Sequence, residues 1–179
     1  MSEAPAQHHI FSVLVENRFG VLTRVAALFS RRGFNIFSLA VSPTEDDRFS
    51  RMTIVVDAES APLEQISKQL HKLIPVLKIV EIGSGEGVER ELMLVSVKAQ
   101  PDQRAHISEL AAIFDAKVVD VGHNAVTIML AGTPDQLDAL SDLLAPYGIT
   151  EQQRTGRIAM TKLARQAPKL RAVKERRGA

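Results

Sequence analysis

Apolar positions along the chain alternate between two periods, the two-residue repeat of a strand and the 3.6-residue repeat of a helix. Strand alternation opens at Ile10–Val15 and returns more cleanly over Asn35–Ser42. In the second of these, Phe37, Leu39 and Val41 are expected to point one way, and Ile36, Ser38, Ala40 and Ser42 the other. Between them Val21, Leu22, Val25, Leu28 and Phe29 fall at helical spacing, and Gly33 follows as a C-terminal stop. A third strand, Arg51–Asp57, sets Met52, Ile54 and Val56 on one face. Ser60 and Pro62 suit a helix entrance, Leu63, Ile66, Leu70 and Leu73 continue at helical spacing, and Pro75 ends the run. Val76–Ile82 reads as a fourth strand. The order is β-α-β-β-α-β, the split-βαβ or ferredoxin-like plan.

Gly83-Ser84-Gly85-Glu86-Gly87 breaks the pattern, and the plan then repeats. Glu91–Lys98 is a strand, Ile107, Leu110, Ala111 and Phe114 mark a helix, and Lys117–Val121 with Ala125–Leu130 form a hairpin around Gly122-His123-Asn124. Thr133-Pro134-Asp135-Gln136 is a strong helix start: a Thr cap, Pro in the first position and Gln three residues after the cap. Leu137, Leu140 and Leu144 give that helix its stripe, and Tyr147–Thr155 is the expected last strand. The expected fold is α+β, with two tandem ferredoxin-like βαββαβ domains. The chain divides into an N-terminal extension (1–7), a first domain (8–82), a linker (83–90), a second domain (91–161) and a basic tail (162–179).

Composition narrows this picture without changing it. A chain of 179 residues, 45% hydrophobic and 24% charged, has a normal globular balance. Two domains of this size each sit near the limit of independent stability, so packing between domains or between subunits is expected. Cysteine is absent, which excludes a disulfide framework, a thiolate nucleophile and a cysteine metal site. The polar start MSEAPAQHH lacks an apolar signal core, and no apolar run approaches membrane-spanning length, so a soluble, cytoplasmic protein is expected. The net charge of +1 hides an asymmetry. From Lys162 to Ala179 there are seven basic residues against one acid, Glu175, so the tail carries +6 and the rest of the chain −5.

Candidate chemistry concentrates in Glu16-Asn17-Arg18-Phe19-Gly20-Val21-Leu22-Thr23-Arg24-Val25, where a strand ends, the chain turns at Gly20 and a helix begins. Amides at a helix start lack partners within the helix, and the helix dipole favours negative charge there. Gly20 has no Cβ to keep a carboxylate away, and Asn17 offers a donor and an acceptor. An α-amino acid needs such donors for its carboxylate, an acceptor for its ammonium and a small apolar slot. On spacing alone the plainer reading is favoured, in which Gly20 permits a turn and Asn17 caps it, because such turns are common.

The stretch VLVENRFGVLTRVAALFSRRGFNIFSLAV resembles an ACT domain, a small-molecule sensor with this element order. Its continuation, SRMTIVVD, then LEQISKQLHKLIPVLKIVEI, then VERELMLVSVKA, is similar to the small regulatory subunit of acetohydroxyacid synthase (acetolactate synthase), over nearly all of His9–Thr161. The resemblance implies a homodimer formed through side-by-side ACT domains, with the effector bound between subunits. One wall would be the Asn17–Leu22 turn (Asn17, Phe19, Gly20, Val21 and Leu22), and the other Asn35 and Ile36 from the partner chain. In that family the effector is valine, in some members also leucine or isoleucine. Arg18-Phe19 stands where smaller polar residues are common. The resemblance further implies a catalytic large subunit that carries thiamine diphosphate, magnesium and FAD. This chain would raise that subunit's activity and transmit feedback inhibition in branched-chain amino acid biosynthesis. It would hold no cofactor, metal or catalytic residue itself. Loop Thr44–Arg51 and the second domain are the candidates for contact with the catalytic subunit.

Other features carry less. His8 and His9 are adjacent and point to opposite faces of a strand, while His71, His106 and His123 are scattered, so no metal or general-base site is expected from them. Asp46-Asp47 falls in a hairpin loop, where solvated acids are routine. The glycine run before residue 88 precedes a strand, so it lacks the helix dipole a phosphate cradle needs. The tail reads first as a solvated extension, then as a docking segment for an acidic partner, and last as a nucleic-acid contact. RNA-recognition modules share the element order, but they stack bases on aromatics, and Arg51–Val56 has none. No catalytic constellation supports an independent enzyme. The alternative that survives is an ACT sensor regulating a different enzyme.

Overall fold

In the computed structural model, which describes residues 8–57 and 63–163, strand β1 (His8–Glu16) lies at the heart of the first sheet. It pairs antiparallel with β3 (Phe49–Asp57) on one side and β4 (Val76–Ile82) on the other, and β2 (Ile36–Pro43) adds to the outside of β3. The sheet order is β2-β3-β1-β4. Helices α1 (Val21–Arg32) and α2 (Leu63–Leu70) cover one face. There Val25, Phe29, Ile66 and Leu70 meet Phe11, Val13, Met52 and Ile54 in a single apolar cluster. Gly33 ends α1 in the left-handed conformation at φ 70°, as its sequence position predicts. Helix α2 closes at Leu70, and Leu73 and Pro75 follow it in turns. The expected entrance residues Ser60 and Pro62 lie outside the described residues, as do the extension 1–7 and the tail from residue 164.

The second domain repeats the plan. Its sheet runs β6 (Lys117–Val121), β7 (Ala125–Gly132), β5 (Gly87–Lys98), β8 (Ile149–Arg154), all antiparallel, with α3 (Arg104–Ile113) and α4 (Pro134–Leu144) on one face. Met93, Val95, Ile107, Ile128, Leu137 and Leu140 form its core. The last strand begins later than the sequence suggests, because Ala145–Tyr147 make a 3₁₀ turn and Gly148 takes φ 88°. The architecture is α+β, two tandem ferredoxin-like units.

Three further features depart from the sequence expectations. Residues 83–90, read as a linker, divide: Glu86 N–H bonds Gly83 O in a turn, and Gly87 already begins β5. A ninth strand, β9 (Ile158–Thr161), pairs with that extension of β5 and lies on the helix-free face of the first sheet. It buries Ala159 against Ile10, Val55 and Ile82. Finally, β2 does not alternate as expected, since the register shifts between Ile36 and Ser38. Ile36 and Leu39 both pack on the helix-side core, while Phe37 stacks on His8 with ring centroids 4.1 Å apart. One extra residue in a strand reverses the facing of everything on one side of it.

Helix α4 carries the complete cap predicted from Thr133-Pro134-Asp135-Gln136. Gln136 N–H donates to Thr133 Oγ1 at 3.4 Å, and Thr133 N–H donates to Gln136 Oε1 at 2.9 Å. Thr133→Ala should cost about 1 kcal/mol of stability in a urea titration, with Thr133→Ser close to the parent. Equal stability of the Ala and Ser variants would show that the cap contributes nothing.

Candidate functional site

The β1–α1 turn is held open at its centre and tied down on both sides. Gly20 is the N-cap of α1 at φ 80°, a left-handed conformation that side chains other than Gly and Asn strain to adopt. An added Cβ there would meet nothing within 4 Å, so the space over the turn is free on this chain. The helix start has no side-chain cap and no acidic residue in its first turn. Its first ladder bond runs from Arg24 N–H to Gly20 O at 3.0 Å, so the Leu22 and Thr23 amides precede the ladder. Helix α3 also lacks a side-chain cap, which makes this arrangement permissive for an anion rather than diagnostic of one.

Asn17 does not cap α1. Its Nδ2 donates to Asp47 O at 2.8 Å and its backbone N–H to Arg48 O at 2.7 Å, fastening the β2–β3 hairpin loop to the turn. That loop is braced by Asp46, whose carboxylate accepts from Arg48 Nε at 2.9 Å and Nη2 at 2.6 Å, and from the Arg48 backbone N–H at 3.1 Å. Hydrogen bonding from the Arg48 side chain and backbone lowers the Asp46 pKa from 3.8 to about 2. Arg18 closes the near side through an ion pair of 2.6 Å with Glu16. Phe19 is fully exposed, Leu22 is 44% exposed, and the Val21 side chain is buried in the core, so Val21 offers only its backbone to the turn.

The second candidate wall is built differently. Asn35 Nδ2 donates to Asp57 Oδ2 at 3.1 Å, and His8 Nδ1 lies 3.1 Å from Asp57 Oδ1. Asp57 thus joins the start of β1, the end of β3 and the approach to β2. Neither Asp57 nor His8 stands out in the sequence, because only strand pairing brings them to Asn35. Ile36 is half-buried on the helix-side core.

These two walls lie at opposite ends of the sheet. Glu16, next to the turn, pairs with Phe49, whereas His8 and Ile36 pair with Asp57 and Val56. With about 3.3 Å per residue along β2, roughly 23 Å separates Ile36 from Pro43 at the turn end. One chain therefore does not bring Asn35 and Ile36 together with Asn17, Phe19, Gly20, Val21 and Leu22. A cleft of about 1000 Å³ opens elsewhere, between the domains. No helix among the described residues is long and apolar enough to cross a membrane.

Comparison with known proteins covers both halves of the chain. Residues 11–78 match the family described as the AHAS small subunit-like ACT domain, and residues 90–163 the family described as the small subunit of acetolactate synthase. The chain is 53% identical to the acetolactate synthase small subunit of Mycolicibacterium smegmatis over 154 residues, 86% of this chain and 91% of that one. It is 51% identical to a probable acetolactate synthase small subunit of Archaeoglobus fulgidus, over 86% of this chain and 96% of that one. The crystal structure of the acetolactate synthase small subunit from Thermotoga maritima superposes with a TM-score of 0.81 at 37% identity, covering 88% of this chain and 99% of that chain.

The brace on the hairpin loop makes a pH prediction. A carboxyl whose folded pKa lies below its unfolded value stabilises the fold fully above the unfolded value and loses that contribution as pH falls through the folded one. For Asp46 the window runs from about 4 down to about 2. The Asp46 side-chain carboxyl, followed by NMR, should titrate near the bottom of that window, and Arg48→Ala should return it to the ordinary range. An unchanged midpoint in Arg48→Ala would remove Arg48 as the cause.

Proposed function

The chain belongs to the acetolactate synthase small-subunit family, and on that premise we propose that it is the non-catalytic regulatory subunit of the synthase, raising the activity of the catalytic subunit and conferring feedback inhibition by valine. The reading rests on one observation above the others. The β1–α1 turn leaves open space over Gly20 beside uncapped helix amides, in a domain matched by the small-subunit ACT family. A carboxylate entering that space meets the positive end of a helix, and no Cβ or acidic side chain of the first turn opposes it.

The separation of the walls supports placing the site between two copies. Strand β2 is the outer strand of its sheet. Antiparallel pairing of two β2 strands about a two-fold axis sets head against tail, so the Asn35 end of one chain meets the Gly20 turn of the other. Leu22 (44% exposed) and Val41 (41%) supply apolar surface suited to such a contact and to a branched aliphatic side chain. Valine differs from leucine and isoleucine by one methylene, worth only about 1–3 kcal/mol in a pocket of this kind, so graded responses to all three are expected.

Regulation in this reading is differential affinity: valine binds one arrangement of the complex more tightly than the other, with a coupling of about 1–3 kcal/mol. Thiamine diphosphate, magnesium and FAD belong to the catalytic partner, and the small subunit acts on that chemistry only through contact.

Calorimetric titration of the purified chain with valine tests the site. Binding of the parent chain is expected to fall at least about tenfold, some 1.4 kcal/mol, in Gly20→Asp and in Asn35→His. Gly20→Asn keeps nearly the same shape and backbone demand without the charge, so it should bind better than Gly20→Asp. Undiminished binding in both Gly20→Asp and Asn35→His would sink the placement. Full valine inhibition of the synthase reconstituted with either variant would do the same.

A further inference from the structure

The cleft between the domains is lined by charged side chains that satisfy one another. Arg157 is buried, and its Nε donates to Glu91 Oε1 at 2.9 Å and its Nη1 to Glu89 Oε2 at 3.2 Å, both acids on β5. Glu91 is buried as well, and its other oxygen accepts from Arg154 Nη2 at 2.8 Å. Arg154 reaches on to Asp138 of α4 at 2.5 Å. Two guanidinium groups face three carboxylates, while Arg90 and Lys162, which also line the cleft, bond the backbone carbonyls of Glu89 and Gly85. Its geometry is that of a joint.

The joint closes on β2. The backbone N–H of Arg157 donates to Ser38 Oγ at 2.8 Å, across the boundary between the domains. One residue earlier, Gly156 lies so close to β2 that a Cβ would stand 2.2 Å from Leu39 O, 2.6 Å from Leu39 C and 2.9 Å from Ala40 N. Those atoms are backbone and cannot swing aside. Gly156 is needed here for close approach and not for a left-handed turn, since its φ lies outside that region. Ser38 and Leu39 follow directly on the Asn35-Ile36 wall, past the register shift.

We propose that the Gly156–Arg157 step is the mechanical link through which a displacement of β2 reaches the second domain, with Ser38, Gly156 and Arg157 as positioning residues for feedback inhibition. The proposal rests on the reading that the effector binds against Asn35 and Ile36. Effector pressing on the start of β2 shifts Ser38 and the Leu39–Ala40 peptide. Gly156, in backbone contact with that peptide, cannot stay in place while it moves. Arg157 carries the displacement into β5 through Glu89 and Glu91, and Arg154 carries it to α4 through Asp138. A buried, fully paired Arg–Glu contact suits this role, because losing one partner strands a buried charge and the pair therefore moves as a unit.

The test uses the full-length chain and the synthase reconstituted from it, comparing the parent with Ser38→Ala, Gly156→Ala and the conservative Ser38→Thr. Hydrogen exchange is followed in peptides spanning β2 and residues 154–161, with and without valine. In the parent, valine should slow exchange in both segments. In Ser38→Ala and Gly156→Ala the slowing should persist in β2 and fall at least about threefold in 154–161, with Ser38→Thr restoring it. In the reconstituted synthase, Ser38→Ala should keep valine affinity within about threefold while losing most of the maximal inhibition, and Gly156→Ala should lose most of it too. Slowing confined to β2 in the parent, or full inhibition at saturating valine in both uncoupling variants, overturns the link. Absence of any valine response in β2 of the parent instead counts against the effector reading. The link is then decided without effector: Gly156→Ala should speed exchange in β2 and in 154–161 together, and faster exchange in 154–161 alone rejects it.

Discussion

A four-stranded sheet with both helices on one side leaves its other side to be covered, and here the cover comes from the second domain. Ile10, Ser12, Thr53 and Val55 are buried on that face, and Ala159 of β9 closes over the apolar part of it. The consequence is visible in β3, where Met52, Thr53, Ile54, Val55 and Val56 are buried in succession. A strand with one solvated face would alternate. Small domains gain little stability from one thin core, and sharing a second interface joins the stabilities of the two units. The domains therefore move as packed neighbours, not as beads on a linker.

The contact has an apolar part and an ionic part with different roles. Burial of Ala159 among Ile10, Val55 and Ile82 supplies non-directional cohesion. The Arg157–Glu91 pair adds little net stability, because desolvating both charges offsets most of their attraction. It fixes geometry instead. Arg157 is held by Glu89 and Glu91, Gly156 lies in close approach to Leu39 and Ala40, and Ser38 accepts the Arg157 amide. The beginning of β5 and the whole of β9 exist to make this joint, which is why β5 is longer than a ferredoxin-like strand needs to be.

The β1–α1 turn depends on the same economy of parts. Asn17 is occupied by the hairpin loop, Arg18 by Glu16 and the Val21 side chain by the core, so the turn is rigid wherever it touches its own chain. Over Gly20 the space is open, Phe19 is fully exposed and Leu22 is partly so. A preformed turn of this kind would lose little conformational entropy on docking a ligand. The second wall is anchored in turn through Asp57, which ties Asn35 to β1 and β3.

By itself the sequence determined the order of the first eight strands and the four helices, the stop at Gly33, the cap at Thr133, the two-unit plan and the family, because each of these depends on local spacing. Gly33 ends a helix wherever it sits in αL, Thr133 and Gln136 cap one within a single turn, and VLVENRFGVLTRV carries its resemblance in contiguous residues. Burial of both faces of β3 was half-legible in the unbroken run Ile54-Val55-Val56, which is more apolar than a half-exposed strand requires. The register shift in β2 left no such trace, since a bulge is set by its neighbours and not by composition. Only the tertiary structure decided that Asn17 fastens a hairpin, that Asp57 bonds Asn35 and lies beside His8, and that Gly156 and Arg157 meet β2 from over a hundred residues away. Those contacts join residues that share no periodicity, and their energy comes from burial and pairing that exist only once both domains have folded against each other.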